Sequence, residues 1–91
     1  MKREQGIERL DDTMRRKYVV EGNVAYVYWN PYPEDGDTHA RLAISQGLDP
    51  SKTVGGYLKV ENKTLVHKTE SMTVGPGSQE VLDKVTDIEI F

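Results

Sequence analysis

Short runs of β-branched, aromatic and other apolar residues alternate with polar residues along most of the chain, and this pattern predicts five strands. The predicted strands span residues 18–20, 24–29, 53–62, 64–74 and 87–91. The turn-forming Glu21-Gly22-Asn23 joins the first two strands into a predicted hairpin. Residues 30–36 contain two prolines and a glycine, which break the alternation and predict a loop.

Two stretches between the strands have apolar residues at helical spacing. The first helix is predicted to begin at Asp37 or Thr38, either of which can cap it, and to end near Gly47, ahead of Pro50. The second is predicted from Ser78 to Val85. Together these elements predict an α+β fold with a single mixed sheet and two short helices, in the order β-β-α-β-β-α-β.

Residues 1–17 differ from the rest of the chain in charge. They carry a net charge of +2, whereas residues 18–91 carry −5. Their apolar residues Ile7, Leu10 and Met14 recur at helical spacing, so either a short helix laid on the domain or a frayed tail fits this segment. We therefore predict a polar N-terminal segment over residues 1–17 and a single α+β domain over residues 18–91.

Composition excludes several classes of function. Ninety-one residues with 36% hydrophobic content suit one small domain. The absence of cysteine excludes disulfides, cysteine zinc sites and thiol nucleophiles. No apolar run approaches the ~20 residues of a membrane span, and the polar N-terminus is unlike a secretion signal, which predicts a cytoplasmic protein with no membrane partner. The net charge of −3 predicts no nucleic-acid partner.

Two features of the sequence could carry chemistry. The segment Ser71-Met72-Thr73-Val74-Gly75-Pro76-Gly77 lies between a predicted strand and a predicted helix, where backbone N–H groups around a small hydroxyl can bind a phosphate or other oxyanion. An ordinary strand-to-helix turn is the alternative interpretation. His39 lies in the first turn of the other helix, where a neutral imidazole can accept a proton or a phosphoryl group. A solvated surface histidine is the alternative there.

Three short motifs and the order of the elements between them resemble the janus/ocnus family, whose best-known members are protein phosphohistidine phosphatases. The motifs are Thr38-His39-Ala40, Gly55-Gly56 and Ser71-Met72-Thr73-Val74-Gly75-Pro76. The resemblance covers roughly residues 23–91. It implies a phosphohistidine phosphatase-like hydrolase that needs no metal or other cofactor, with a phosphorylated protein as substrate.

By this resemblance, His39 takes the place of the family's catalytic histidine, and the bend that follows the fourth predicted strand takes the place of its phosphate-holding loop. The predicted phosphate-binding residues are Ser71, Met72, Thr73 and Gly75. The nearest candidates for the family's basic residue on the first strand are Lys17 and Asn23.

A non-catalytic module of the same fold, which binds a protein partner or a small anion, is the second hypothesis. Two departures from the family pattern favour it: Tyr57 stands where the family has an arginine, and Glu70 places a carboxylate beside the predicted phosphate loop.

The second histidine, His67, has two interpretations. Strict alternation puts it on the same side of its strand as Ser71, within reach of the bend, but a packing role also fits it. Because His39 and His67 are 28 positions apart and lack ligand-type spacing, we predict no metal site.

Overall fold

Six strands form one mixed sheet, against which three short helices pack, in a computed structural model that describes all 91 residues. The strands are β1 (Arg16–Glu21), β2 (Val24–Val27), β3 (Val54–Glu61), β4 (Thr64–Glu70), β5 (Gly75–Pro76) and β6 (Asp87–Ile90). The helices are α1 (Arg3–Leu10), α2 (His39–Ser45) and α3 (Gln79–Asp83), and a 3₁₀ turn covers Pro50–Lys52. The predicted α+β fold with a single mixed sheet is confirmed. None of the helices combines the length and the apolar character that crossing a membrane requires.

The sheet is built around the hairpin of β1 and β2. Its strand order is β4-β3-β1-β2-β6, in which only the β2–β6 pair of neighbours is parallel. Strand β4 runs beside β3 as far as the pair Gly56–Glu70 and then leaves it. The chain then returns to β3 as β5, which pairs in parallel with Val54 and Gly55, the two residues before Gly56. Residues 71–74 therefore form a bend at the edge of β3.

The N-terminal segment is a helix that is docked onto the domain. The Arg3 guanidinium donates hydrogen bonds to the Leu82 and Val85 carbonyls at 2.6 and 2.8 Å. The backbone N–H of Ile88 bonds the Met1 carbonyl at 2.9 Å, so the N-terminus covers the outer edge of β6. Of the two interpretations of residues 1–17, the structure has the helix, and β1 already begins within this segment, at Arg16.

Helices α1 and α3 close one side of the sheet, which we call the core face. Alternate residues of the strands point to this side, where they meet apolar residues of α1 and α3. The cluster consists of Leu10, Tyr18, Val20, Ala25, Val27, Leu58, Val60, Leu65, Leu82, Val85 and Ile88. Most of its members are 0–2% exposed, so burial of apolar surface there stabilises the fold.

The opposite side of the sheet, the α2 face, carries Lys17, Val19 and Tyr57 under the single short helix α2. Val19 and two residues of α2, Leu42 and Ala43, are buried there, separately from the main core cluster. Because seven residues of helix cannot cover the face, part of it stays open to solvent beside the start of α2.

Candidate functional site

The first turn of α2 places the His39 side chain against the sheet. Thr38 has extended backbone and caps the helix, because its hydroxyl accepts a hydrogen bond from the Arg41 N–H at 3.2 Å. His39 is then the first helical residue. It lies on the same side of the helix as Leu42 and Ala43, both of which pack against the sheet. Only 3% of His39 is exposed, so it is not the solvated surface histidine of the alternative interpretation.

The two ring nitrogens of His39 have different surroundings. Nε2 lies 2.7 Å from the carbonyl oxygen of Gly56, and since a carbonyl only accepts, Nε2 carries the proton. Nδ1 makes no hydrogen bond within the chain. No buried side-chain nitrogen or oxygen lacks a partner, so Nδ1 must reach solvent. The neutral ring therefore presents a free lone pair at the surface of an otherwise buried side chain.

The surroundings of His39 keep its ring neutral. Burial, which penalises the imidazolium, lowers the pKa of His39, and the nearby positive charge of Lys17 lowers the pKa further. The hydrogen bond to the Gly56 carbonyl acts in the opposite direction but does not reverse the shift. Because the unperturbed pKa is about 6.5, the lone pair of Nδ1 is available at neutral pH.

His39 lines an open pocket of about 160 Å³ on the α2 face. The lining residues are Lys17, Thr38, His39, Tyr57, Glu70, Met72 and Thr73. At about 30 Å³ per water, the pocket holds roughly five waters. That size suits a small anion or the end group of a larger molecule, and it is well below the roughly 300 Å³ at which pockets for drug-sized ligands begin.

Lys17 supplies the positive charge of the pocket and is held in place by the loop before α2. Its ammonium donates a hydrogen bond to the Asp37 carbonyl at 2.5 Å. The Asp37 carboxylate in turn accepts from the Tyr28 hydroxyl at 3.1 Å and from the Glu34 N–H at 3.0 Å. The Tyr28–Asp37 hydrogen bond raises the pKa of Tyr28, because only the protonated phenol can donate to the carboxylate. Lys17 has two further N–H donors for a ligand.

The bend after β4 satisfies most of its own amides. The Ser71 hydroxyl accepts hydrogen bonds from the N–H groups of Thr73 and Val74, both at 3.1 Å. The Met72 N–H has no partner within the chain. The Thr73 hydroxyl accepts from the Ala40 N–H at 3.1 Å, which ties the bend to the first turn of α2. One free amide of the bend, that of Met72, is therefore available to a ligand.

The predicted site residues are divided among three places. His39, Met72 and Thr73 lie together around the pocket, as does Glu70, whose carboxylate forms no ion pair. Ser71 is buried beneath the bend and does not line the pocket. Gly75 belongs to β5 and lines a separate open groove of about 570 Å³, together with residues 50–54 and 72–74. Of the two candidates for the position of the basic residue, Lys17 reaches the pocket, while the Asn23 amide donates to Thr86 Oγ1 at the hairpin turn.

Tyr57 is a pocket residue whose contacts the sequence did not suggest. Its ring meets the His39 ring edge-on, with 5.2 Å between centroids. The Arg15 guanidinium lies over the Tyr57 ring with Cζ 4.7 Å from the centroid, and the Lys17 Nζ is 5.9 Å from it. The available sequence signal was the alternation of Arg15, Lys17 and Val19, which puts two cations on the side of β1 that faces α2.

His67 has the packing role rather than a place near the bend. Its Nδ1 lies 2.8 Å from the Tyr18 hydroxyl on the core face, and its backbone N–H donates to Gln79 Oε1 at 2.8 Å. Burial raises the pKa of Tyr18. Strict alternation fails between His67 and Ser71 because the β3–β4 register shifts next to Tyr57. No three histidine, aspartate or glutamate side chains are grouped so that they could hold a metal ion.

No protein-family model, no curated protein and no solved structure matches this chain. The likeness to the janus/ocnus family therefore rests on the sequence motifs alone.

Proposed function

We propose that this chain is a small metal-independent phosphatase-like protein that acts on phosphohistidine or a related phosphoramidate. The observation that carries the proposal is the free lone pair of His39 Nδ1, on a side chain that lines a small pocket together with Lys17. A buried neutral imidazole fixed by a carbonyl on its other nitrogen is suited to general-base or nucleophilic chemistry.

Two routes use the same geometry. In the first, Nδ1 takes a proton from water while the water oxygen bonds to phosphorus, and the imidazolium then gives this proton to the leaving nitrogen as the P–N bond breaks. In the second, Nδ1 itself bonds to phosphorus as the P–N bond breaks in a substrate whose leaving nitrogen is already protonated, so that the amine departs neutral. Water then hydrolyses the phosphorylated His39, which releases phosphate and returns the neutral imidazole. In both, the Lys17 ammonium and the Met72 N–H stabilise charge on the phosphoryl oxygens.

The alternative is a non-catalytic module that binds a protein partner or a small anion. Two observations favour it. The unpaired Glu70 carboxylate lines the pocket and repels a phosphoryl dianion. The Ser71 hydroxyl occupies the N–H groups of Thr73 and Val74, which leaves fewer donors for an oxyanion than an open phosphate loop offers.

The proposed partner is a phosphorylated protein, whose modified side chain would enter the pocket by its end group, or a protein that docks without reaction. The pocket is too small for a nucleotide but open at the surface, as a side-chain substrate requires. A cytoplasmic location is proposed from the sequence.

The first experiment measures hydrolysis of phosphoramidate by the native chain and by His39→Asn. We expect the substitution to reduce kcat/KM by about 100-fold or more, since the chain loses its base or phosphoryl acceptor. His67→Asn is the matched control, because it makes the same change in the other histidine, on the core face. Equal rates for the native chain and His39→Asn would remove His39 from the mechanism.

The second experiment separates the two hypotheses by titrating inorganic phosphate and following backbone amide shifts by NMR. Shifts centred on Met72 and on residues 39–40, without phosphoramidate hydrolysis, would favour the anion-binding module. The absence of shifts around the pocket at millimolar phosphate would argue against any phosphate site there.

A further inference from the structure

The Tyr57 ring contacts both a residue of the pocket, His39, and a second cation, Arg15. On its pocket side it contacts the His39 ring, and its face carries the Arg15 guanidinium. Arg15 does not itself line the pocket. One aromatic ring therefore contacts both the guanidinium and the imidazole.

The charge of Arg15 is free to bind a ligand. Its side chain is exposed and forms no ion pair with any carboxylate of the chain. One of its five N–H donors bonds the Thr69 hydroxyl on β4, which together with the Tyr57 ring fixes the position of the guanidinium. A fixed guanidinium with unused donors in a planar fork is the side chain best suited to a carboxylate or a phosphate.

We infer that Arg15 is a specificity-determining residue that binds a second anionic group of the ligand, beside the phosphoryl group that enters the His39 pocket. This inference rests on the proposed phosphoryl-binding function of that pocket. The ligand it selects is a phosphorylated peptide with an acidic side chain next to the modified residue, because such a peptide carries a second anionic group beside the phosphoryl group. Tyr57 is the positioning residue of this arrangement, since it contacts both His39 and Arg15.

A second cation also offsets the negative charge of Glu70. Within the pocket, the single positive charge of Lys17 is opposed by the carboxylate of Glu70. Arg15 adds a positive charge outside the pocket, on the same side of β1 as Lys17. Ligands that reach both cations are therefore held more strongly than an isolated phosphate, which reaches Lys17 alone.

The test uses two stable phosphoserine peptides that differ only in a glutamate or a glutamine directly after the phosphoserine. Their dissociation constants are measured by amide-shift titration at low salt. We expect the native chain to bind the glutamate peptide about three- to fivefold more tightly, as one exposed ion pair provides. Arg15→Gln should abolish this preference, and Arg15→Lys should keep part of it because the charge remains while the planar fork is lost.

Arg9→Gln is the matched control, since Arg9 is also an exposed arginine without an ion pair but lies on α1. It should keep the full preference. A native chain that binds both peptides equally, or neither of them, would overturn the inference, as would an unchanged preference in Arg15→Gln. Phosphoramidate hydrolysis, which carries no second anionic group, reports on the proposed function separately.

Discussion

The two faces of the sheet are made from the same strands but have opposite character. On the core face, side chains such as Tyr18 and Val20 are sealed under α1 and α3, and the polar groups there are paired. On the α2 face, the neighbouring Lys17 and Val19 lie beneath a single seven-residue helix. The open part of that face holds a free imidazole nitrogen, an ammonium and an unpaired carboxylate.

The contrast shows how a 91-residue chain can combine a buried apolar core with an open polar pocket. Because side chains alternate along a strand, one residue of β1 can contribute to the core while the next contributes to the pocket. Because the core face provides most of the apolar burial, the fold tolerates polar and charged groups on the α2 face whose hydrogen-bonding capacity is not fully used. Gly56 connects the two, since its carbonyl binds His39 on one side and its Cα faces the His67 ring on the other.

The largest effect should come from the core face. Leu82→Ala removes a fully buried side chain of α3, and we expect a loss of about 3 kcal/mol in the free energy of unfolding, from lost burial and the cavity left behind. Ile44→Ala is the control on the α2 face, because Ile44 is 60% exposed, and it should change stability by less than about 0.5 kcal/mol. Urea unfolding measures both. Similar losses for the two variants would show that the faces do not differ as described.

The second effect tests the residue between the faces. In Gly56→Ala the new Cβ would lie 2.8 Å from His67 Cε1 and closer still to the Thr69 carbonyl oxygen, so strand β4 must shift. We expect a loss of about 2 kcal/mol in stability together with a displaced His39 ring resonance. Gly36→Ala is the control, since its Cβ would meet only the end of the flexible Arg41 side chain at 3.5 Å. A stable Gly56→Ala with an unshifted His39 resonance would contradict the close packing at this position.

The third effect concerns charge on the α2 face. Glu70→Gln removes the carboxylate from the pocket, and we expect phosphate to bind about three- to tenfold more tightly, because one charge repulsion at a few ångströms is removed. Glu21→Gln makes the same change at an exposed position outside the pocket and should leave phosphate affinity unaltered. NMR titration with inorganic phosphate gives both constants. Equal affinities in all three proteins would mean that phosphate does not enter this pocket.

The smallest effect is the pH dependence of stability from His39. Its pKa is lowered in the folded protein, so the unfolded chain binds the proton more readily. Well above pH ~6.5, His39 is neutral in both states and does not affect the free energy of unfolding. As the pH falls below ~6.5 toward the lower pKa of the folded state, the unfolded chain takes up the proton first, and the free energy of unfolding decreases. Urea unfolding between about pH 7.5 and 5 should show this decline, and His39→Asn should weaken it. A native profile that rises on acidification over this range would contradict the sign.

The sequence by itself determined the fold class and most of the elements, but it left α1 as one of two alternatives and did not show β5. The two-residue alternation and the turn residues act between near neighbours, so the β1–β2 and β3–β4 hairpins and the α+β class follow from local pattern. The start of α2 is local for the same reason, because the Thr38 cap bonds an N–H only three residues away. The choice of His39 and the bend as neighbours came from a resemblance between motifs.

The tertiary structure decided what those elements bring together. The strand predicted to continue to Val74 ends at Glu70, because the Ser71 hydroxyl takes the next free amides and turns the chain away. Tyr57 meets Lys17 through the register of β1 against β3, which pairs residues about 40 positions apart, and such pairing is not encoded in a local pattern. For the same reason, only the folded chain shows that the Gly56 carbonyl leaves Nδ1 of His39 free.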